Sequence, residues 1–379
     1  MDLKFSEEQE MMRKMVRDFA QKEVAPIAAE IDEQGRVPFE NIKKMAQLGL
    51  LGLTVSEQYG GCAADTVSYV IAIEELAKAC ASTAIILAVQ NSLVCAGIEK
   101  FGSEEQKVKY LPGLASGEKI GAFALTEPGA GCDAAAQATT AVRAGDHYVI
   151  NGSKHFITNG GFADVIIVFA MTDKAQKSRG ISAFIVEKGF PGFAVGKEEH
   201  KMGIRGSNTC ELVFTDMRVP AVNLMAGEGQ GFKIALTMLD GGRIGVAAQA
   251  VGIAQAALDA SAKYSKERCQ FGHPIGEFQA IQWMLADMAT RIEAARLLTY
   301  SAALKKQAGE RYSKEASMAK LFASETAVWV VDRAMQIHGG YGYMKEYPIE
   351  RYYRDAKITE IYEGTSEVQR MVIARSVLE

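Results

Sequence analysis

Apolar positions change their spacing twice along the chain, which divides it into three parts. In the first the spacing is helical: Met12, Met15, Val16 and Phe19 recur every three or four residues along one face, behind a Ser6 to Gln9 capping box. Further helices are predicted over 39–48, 66–81, 83–101 and 104–114. Breaks are placed at Gly35 to Pro38, Tyr59-Gly60-Gly61 and Pro112-Gly113, because glycine and proline interrupt a helical ladder. Near Ile120 short β-branched and aromatic runs take over, at 120–125, 139–143, 148–150, 165–171, 181–186 and 212–214. Ala144-Gly145-Asp146, Asn151-Gly152, Asn159-Gly160-Gly161 and Pro191-Gly192 supply the turns between them. After Gly227-Glu228-Gly229-Gln230-Gly231 long helical stripes return, one through Phe278, Ile281, Leu285, Met288, Ile292 and Ala295, another through Met318, Leu321, Phe322, Val328 and Val331. Long helices of this kind pack as a bundle. The expected class is α+β: an N-terminal helical domain over 1–118, a middle β-barrel or sandwich over 119–228, and a C-terminal four-helix bundle over 229–379.

Composition narrows the function. A chain of 379 residues exceeds one ordinary core, and 48% hydrophobic residues can fill two or three. With 23% charged residues, a net charge of -4 and no Lys/Arg-rich block to follow a phosphate backbone, nucleic acid is not an expected partner. The start Met1-Asp2-Leu3-Lys4-Phe5-Ser6-Glu7-Glu8 is acidic and helix-forming, without the basic and apolar regions of a signal peptide. No stretch reaches the roughly eighteen apolar residues of a membrane span, so a soluble protein not exported by that route is expected. Cys62, Cys80, Cys95, Cys132, Cys210 and Cys269 form no close pair, which reads as reduced, cytoplasmic usage. The five histidines lack zinc-ligand spacing, and no metal site is expected.

One short run carries candidate chemistry. In Ile361-Tyr362-Glu363-Gly364-Thr365-Ser366-Glu367 a carboxylate stands between an aromatic and a glycine. Tyr362 can keep water off Glu363, raising its pKa towards that of a useful base, while Gly364 lets a ligand approach the backbone. The same seven residues also read as a plain surface turn, with Thr365 or Ser366 capping the last helix.

Taken with the order helical, β, helical, further motifs resemble the acyl-CoA dehydrogenase family, most closely its bacterial butyryl-CoA (short-chain) members. They are Leu125-Thr126-Glu127-Pro128-Gly129-Ala130-Gly131-Cys132-Asp133, Phe156-Ile157-Thr158-Asn159-Gly160, Arg268-Cys269-Gln270-Phe271-Gly272-His273-Pro274-Ile275 and Gln336-Ile337-His338-Gly339-Gly340-Tyr341-Gly342, with the Glu363 run. The resemblance covers essentially the whole chain and implies FAD as cofactor. By it, Phe123, Leu125, Thr126 and Cys132 meet one edge of the flavin, Phe156 and Thr158 stand at its other side, and Thr365 and Glu367 also belong to the cofactor site. Arg268 matches the family arginine on the FAD pyrophosphate, with Phe271 and Gln279 nearby, and Gln336, Gly339 and Gly340 match a loop that approaches the adenosine diphosphate. In the family these last two segments come from a neighbouring subunit, so a homo-oligomer, a tetramer built from two dimers, is implied. His338 receives no chemical role.

The resemblance assigns Asp240, Gly241, Gly242 and Arg243, together with Cys132, Tyr362 and Gly364, to acyl-CoA. The local alternative for Asp240 and Arg243 is an ion pair at a helix start. Two positions depart from the usual pattern: Cys132 replaces a serine or threonine, and Phe156 a frequent tryptophan. Glu363 is implied as the base, its N-H and a ribityl hydroxyl polarising the thioester carbonyl. Some branches of the family place the base immediately before the arginine of the Asp-x-x-Arg segment, where this chain has Gly242. The implied reaction is dehydrogenation of a short-chain acyl-CoA to a trans-2-enoyl-CoA, with electrons passing to electron-transferring flavoprotein. Alternatives are the reverse enoyl-CoA reduction, an oxidase, a nitroalkane-oxidase-like enzyme, and a DNA-binding flavoprotein of the same fold. The last needs a basic surface and does not need the glutamate, whereas here Glu363 is present, the net charge is negative and no basic tail is visible.

Overall fold

The computed structural model describes residues 4–379, so Met1, Asp2 and Leu3 of the acidic start lie outside the described residues. The N-terminal part contains α1 (Glu7–Phe19), α2 (Ala28–Gln34), α3 (Phe39–Gln47), α4 (Thr66–Ala79), α5 (Ala81–Ala88), α6 (Ala96–Phe101) and α7 (Glu104–Ser116). Ser6 and Gln9 form the expected capping box on α1. Helix α2 was not anticipated; it ends at Gly35, whose φ of 65° is left-handed. A π-helical segment, Val89–Cys95, joins α5 to α6, so the predicted 83–101 helix is continuous but not regular. The expected break at Pro112-Gly113 is absent. Pro112 sits inside α7 on its exposed side, while Tyr110, Leu111 and Leu114 anchor the opposite face. Val108, four residues earlier, is 60% exposed, which leaves water to satisfy the carbonyl that proline cannot serve.

The middle part is one eight-stranded sheet in the order β6-β7-β3-β2-β4-β5-β8, with β1 parallel to β4. Its strands are β1 (Gly121–Ala124), β2 (Thr140–Ala144), β3 (His147–Thr158), β4 (Val165–Met171), β5 (Ile181–Glu187), β6 (Phe193–Glu198), β7 (Thr209–Pro220) and β8 (Leu224–Met225). The Asn151-Gly152 turn is a second correction. Strand β3 runs straight through it with a register shift, and a Cβ on Gly152 would lie 2.5 Å from Thr139 Oγ1, so the glycine permits close strand approach. Strand β4 is buried along its whole length because its two faces enter different cores. Val165, Ile167 and Phe169 join the helical core; Ile166, Val168 and Ala170 join the core inside the curled sheet.

The C-terminal part is led by α8 (Gly231–Glu267, 37 residues). A small ribbon of β9 (Cys269–Gln270) and β10 (His273–Pro274) precedes α9 (Gln279–Gln307), α10 (Ser313–His338), α11 (Ile349–Ile358) and α12 (Ser366–Leu378). Helix α10 packs on α8, α9, α11 and α12, and α4 packs on α8. The expected α10 stripe is wrong for most of its residues. The buried line is Ala316, Ala319, Ala323, Ala327, Val330, Val331 and Ala334, whereas Met318, Leu321, Phe322 and Val328 are half-buried. Small residues face inward because the helix axes approach closely. A Cβ on Gly252 of α8, for example, would lie 2.5 Å from the Glu74 carbonyl of α4. The expectation of no span-length apolar stretch also needs correcting. Ala81–Phe101 and Gly231–Glu267 are long and apolar enough to cross a membrane, but those windows are 94% and 78% buried inside the fold.

Candidate active site

The turn before α12 folds Glu363 back onto α8. Glu363 has a φ of 53° and Gly364 one of 97°. The left-handed conformation costs a residue with a Cβ about 1–2 kcal/mol, and it aims the carboxylate at the helix. A Cβ built on Gly242 would lie 2.0 Å from Glu363 Oε2, so glycine at 242 is what gives the carboxylate its place. That oxygen is buried and has no hydrogen-bond partner among the described residues. Burial pushes the Glu363 pKa up to about 7, against the pull of Arg243 and Lys320.

Tyr362, the residue before Glu363, is anchored by its hydroxyl. Its hydroxyl donates to Gln249 Oε1, and Gln249 Nε2 donates in turn to the Ala81 carbonyl at 2.9 Å, tying the turn to α8 and to the start of α5. One turn along α8 from Gly242, a Cβ on Gly245 would lie 2.4 Å from the Tyr69 hydroxyl, which is also buried and unpartnered among the described residues. The Gly364 carbonyl accepts from Lys320 Nζ and from Gln369 Nε2, each at 2.8 Å. No hydrogen bond from the Glu363 N-H to a described residue occurs. Thr365 caps α12 through Val368 N at 3.4 Å, so the plain reading of the turn holds alongside the chemical one.

Arg243 and Asp240 form the anticipated ion pair at 2.6 Å, though well inside α8 (Gly231–Glu267) rather than at a helix start, and Ser313 also donates to Asp240. Arg243 is 4% exposed and keeps a buried, unpartnered Nε. Gly241 faces elsewhere, its Cβ position 3.2 Å from Lys306 Nζ.

The residues assigned to FAD fall into two groups. In the first, Phe123 packs on Phe169 with ring centroids 4.9 Å apart, and the Thr126 carbonyl accepts from His155 N at 2.8 Å, joining the Thr126 loop to the end of β3. There Phe156 adopts a φ of 58° and is 60% exposed, and Thr158 pairs with Thr209 of β7. Cys132 Sγ stands 4.0 Å from Thr365 Oγ1, which brings this loop to the Glu363 turn; Glu367 lies exposed in the first turn of α12. Beneath the loop, Lys154 Nζ donates to the Leu125 carbonyl at 3.1 Å, Glu127 Oε1 at 2.7 Å and Gln137 Oε1 at 2.9 Å. Burial favours the neutral Glu127 acid, but the Lys154 charge and the Thr139 and Ala138 donors outweigh it and hold the pKa below its ordinary value.

The second group surrounds a cavity of about 550 Å³ lined by Arg268, Gly339, Gly340, Tyr264, His338 and Tyr341 among others. A Cβ on Gly339 or Gly340 would meet nothing within 4 Å, so the backbone there is open. Phe271 is 92% exposed, and Gln279 and Gln336 are exposed. His338 stacks on Tyr264 at 4.3 Å and its Nδ1-H donates to the Ala334 carbonyl at 2.8 Å, a packing role. The first group meets the Glu363 turn through Cys132 and Thr365, whereas from Gly242, beside Glu363, to its end beside Arg268 α8 runs roughly 38 Å at about 1.5 Å per residue.

Lys320, Gln249, Tyr69 and Lys154 were not anticipated. Two had a signal in the pattern. Lys154 shares strand parity with Tyr148 and Ile150, and Lys320 falls on the small-residue face of α10 with Ala316, Ala323 and Ala327.

Three family models match the chain: the acyl-CoA dehydrogenase N-terminal domain at residues 6–118, middle domain at 122–217 and C-terminal domain at 229–378. A relative from Clostridium acetobutylicum named "Acyl-CoA dehydrogenase, short-chain specific" is 58% identical over 377 residues, with 100% of both chains covered. The solved butyryl-CoA dehydrogenase from Megasphaera elsdenii is 52% identical with a TM-score of 0.99, again over 100% of both chains. A chain in a structure described as the electron transferring flavoprotein of Acidaminococcus fermentans is 55% identical with a TM-score of 0.99 over the same full coverage.

Proposed function

Since the chain belongs to the acyl-CoA dehydrogenase family of oxidoreductases, we propose that it oxidises a short-chain, butyryl-like acyl-CoA to the trans-2-enoyl-CoA, using FAD and passing electrons to electron-transferring flavoprotein. The observation that carries this is the Glu363 carboxylate on Gly242, with one buried oxygen left unpartnered beside a free backbone N-H. A base that takes a proton from carbon needs an acceptor not already spent on a hydrogen bond and a pKa near the working pH. Glu363 meets both conditions.

The residues present fit FAD. Arg268 supplies a permanent cation for the pyrophosphate, the open Gly339-Gly340 backbone admits close approach, and exposed Phe156 offers a ring face beside Thr158. Bound FAD supplies the hydride acceptor. Glu363 takes the α-proton, and its N-H donates to the thioester oxygen as negative charge develops there. Tyr362, held by Gln249, keeps water from the carboxylate. Arg243 and Asp240 orient the acyl-CoA. Because α8 sets Gly242, beside Glu363, roughly 38 Å from Arg268, a second copy supplies Arg268, Phe271, Gln279, Gln336, Gly339 and Gly340 to each flavin, in a tetramer built from two such dimers. The likeness to the short-chain relatives supports the chain-length reading, and the Acidaminococcus fermentans structure supports the electron acceptor. The enzyme works in the cytoplasm.

The test is anaerobic titration of the purified protein with acyl-CoAs of increasing length. Flavin bands that bleach best with butyryl-CoA, with enoyl-CoA formed, are expected. A protein that shows no flavin bands after FAD is added to the apoprotein, or flavin that no acyl-CoA bleaches, would refute it.

A further inference from the structure

Lys320 is 0% exposed, yet no carboxylate forms an ion pair with it among the described residues, and its one recorded acceptor is the Gly364 carbonyl. An ammonium group taken fully out of water is costly unless something answers its charge. The negative group closest in effect is Glu363, next to the carbonyl that Lys320 holds; Lys320 and Arg243 are the two cations that act on that carboxylate. The Gly364 carbonyl belongs to the peptide that follows the two residues of positive φ and joins them to Thr365, the cap of α12. Holding it anchors the C-terminal end of the turn that carries Glu363.

We propose that Lys320 is a positioning residue for the reaction at Glu363: it clamps the turn through the Gly364 carbonyl and sets a positive charge close to the carboxylate. This rests on the reading of Glu363 as the base. The charged groups facing the pair are Arg243 from α8, and Glu360 and Glu367 from the segments flanking the turn. The phenols of Tyr69, from α4, and Tyr362 face Glu363 and stay neutral, since burial raises both. Gln369 Nε2 also holds the Gly364 carbonyl, so the turn is not left without a donor when Lys320 is replaced.

The experiment compares Lys320→Met, Lys320→Gln and Glu363→Gln holoenzymes by anaerobic bleaching with butyryl-CoA, from about pH 6 to about pH 9. Removing a nearby cation raises the pKa of a carboxylate, so the midpoint of the acid limb should move up by roughly half a unit or more in both Lys320 variants. Lys320→Met, which also loses the donor, should drop about tenfold in limiting rate, and Lys320→Gln should recover most of it. Unchanged midpoints and limiting rates in both variants, with only thermal stability or FAD content altered, would overturn the proposal. If Lys320→Met does not fold, the midpoint of Lys320→Gln alone decides. Glu363→Gln separates the two readings. Bleaching by that variant at the wild-type rate means the base is misassigned; its inertness beside unchanged Lys320 variants overturns only the role of Lys320.

Discussion

Gly242→Ala tests the base without touching it. The added Cβ would stand 2.0 Å from Glu363 Oε2, and ordinary van der Waals contact begins at 3.4 Å, so the carboxylate must retreat by about 1.4 Å. The clash is with the tip of a flexible side chain, so the fold can absorb it, and alanine in place of glycine inside a helix favours folding by roughly 0.5–1 kcal/mol. Chemistry has no such latitude. Displacing a reacting group by about 1 Å can cost around 10²-fold in rate, and proton abstraction from carbon depends on that approach. The expected variant is therefore at least as stable as wild type, retains FAD, and bleaches about 10²-fold more slowly with butyryl-CoA. Stopped-flow absorbance under anaerobic conditions measures the rate, and thermal unfolding measures the stability. A stable Gly242→Ala protein that bleaches at the wild-type rate would show that the seat of the carboxylate on α8 is not where catalysis happens.

Glu363→Gln should keep its flavin and bind acyl-CoA but lose roughly 10²- to 10⁴-fold in bleaching, while dithionite still reduces it. In wild type the bleaching rate should rise with pH through about 7 as Glu363 loses its proton. The same shift affects stability. The folded chain holds that proton more tightly than the unfolded chain, a contribution fully present below the ordinary carboxylate range and lost as pH climbs through about 7. Relative to wild type, Glu363→Gln should thus gain about 1–3 kcal/mol on going from about pH 5 to about pH 8, read by denaturant unfolding. Lys154→Met leaves Glu127 buried without its cation and should destabilise the protein by about 3–5 kcal/mol, with the Thr126 loop loosened and FAD released more readily in equilibrium dialysis. Arg268→Ala should purify with much less FAD at an unchanged Glu363 site; full flavin retention by a monomer in light scattering would contradict the two-copy reading.

Much of the fold was legible because local patterns and packing agree. Strand β4 spans the residues its β-branched run predicts, and the Ser6 cap stands where its spacing places it. The mistakes share a cause, since a residue type was taken for its commonest use. Pro112 and Gly152 read as punctuation, but an exposed proline lets α7 continue and a glycine lets β3 pass close to Thr139. In α10 the spacing of the large residues predicts a buried stripe, although close helix packing selects alanine there. The Glu363 turn and the Asp240 to Arg243 segment were visible as motifs, and the structure brings Glu363 and Gly242 into contact. Gln249 and Tyr69 carry no mark in their neighbours along the chain, and Lys320, though it interrupts the small-residue face of α10, does not show by that position that it reaches the turn.

The length of α8 has a consequence for how damage spreads in a mixed population. On the two-copy reading each chain lends residue 268 to a site whose Glu363 belongs to its neighbour, because the helix holds the two some 38 Å apart. A lesion at 268 therefore silences the neighbour and spares its owner, whereas a lesion at 363 silences its owner. When the two lesions sit on different chains of one pair, both fall on the same site and the other site is whole, so two inactive parents assemble into a partly active hybrid.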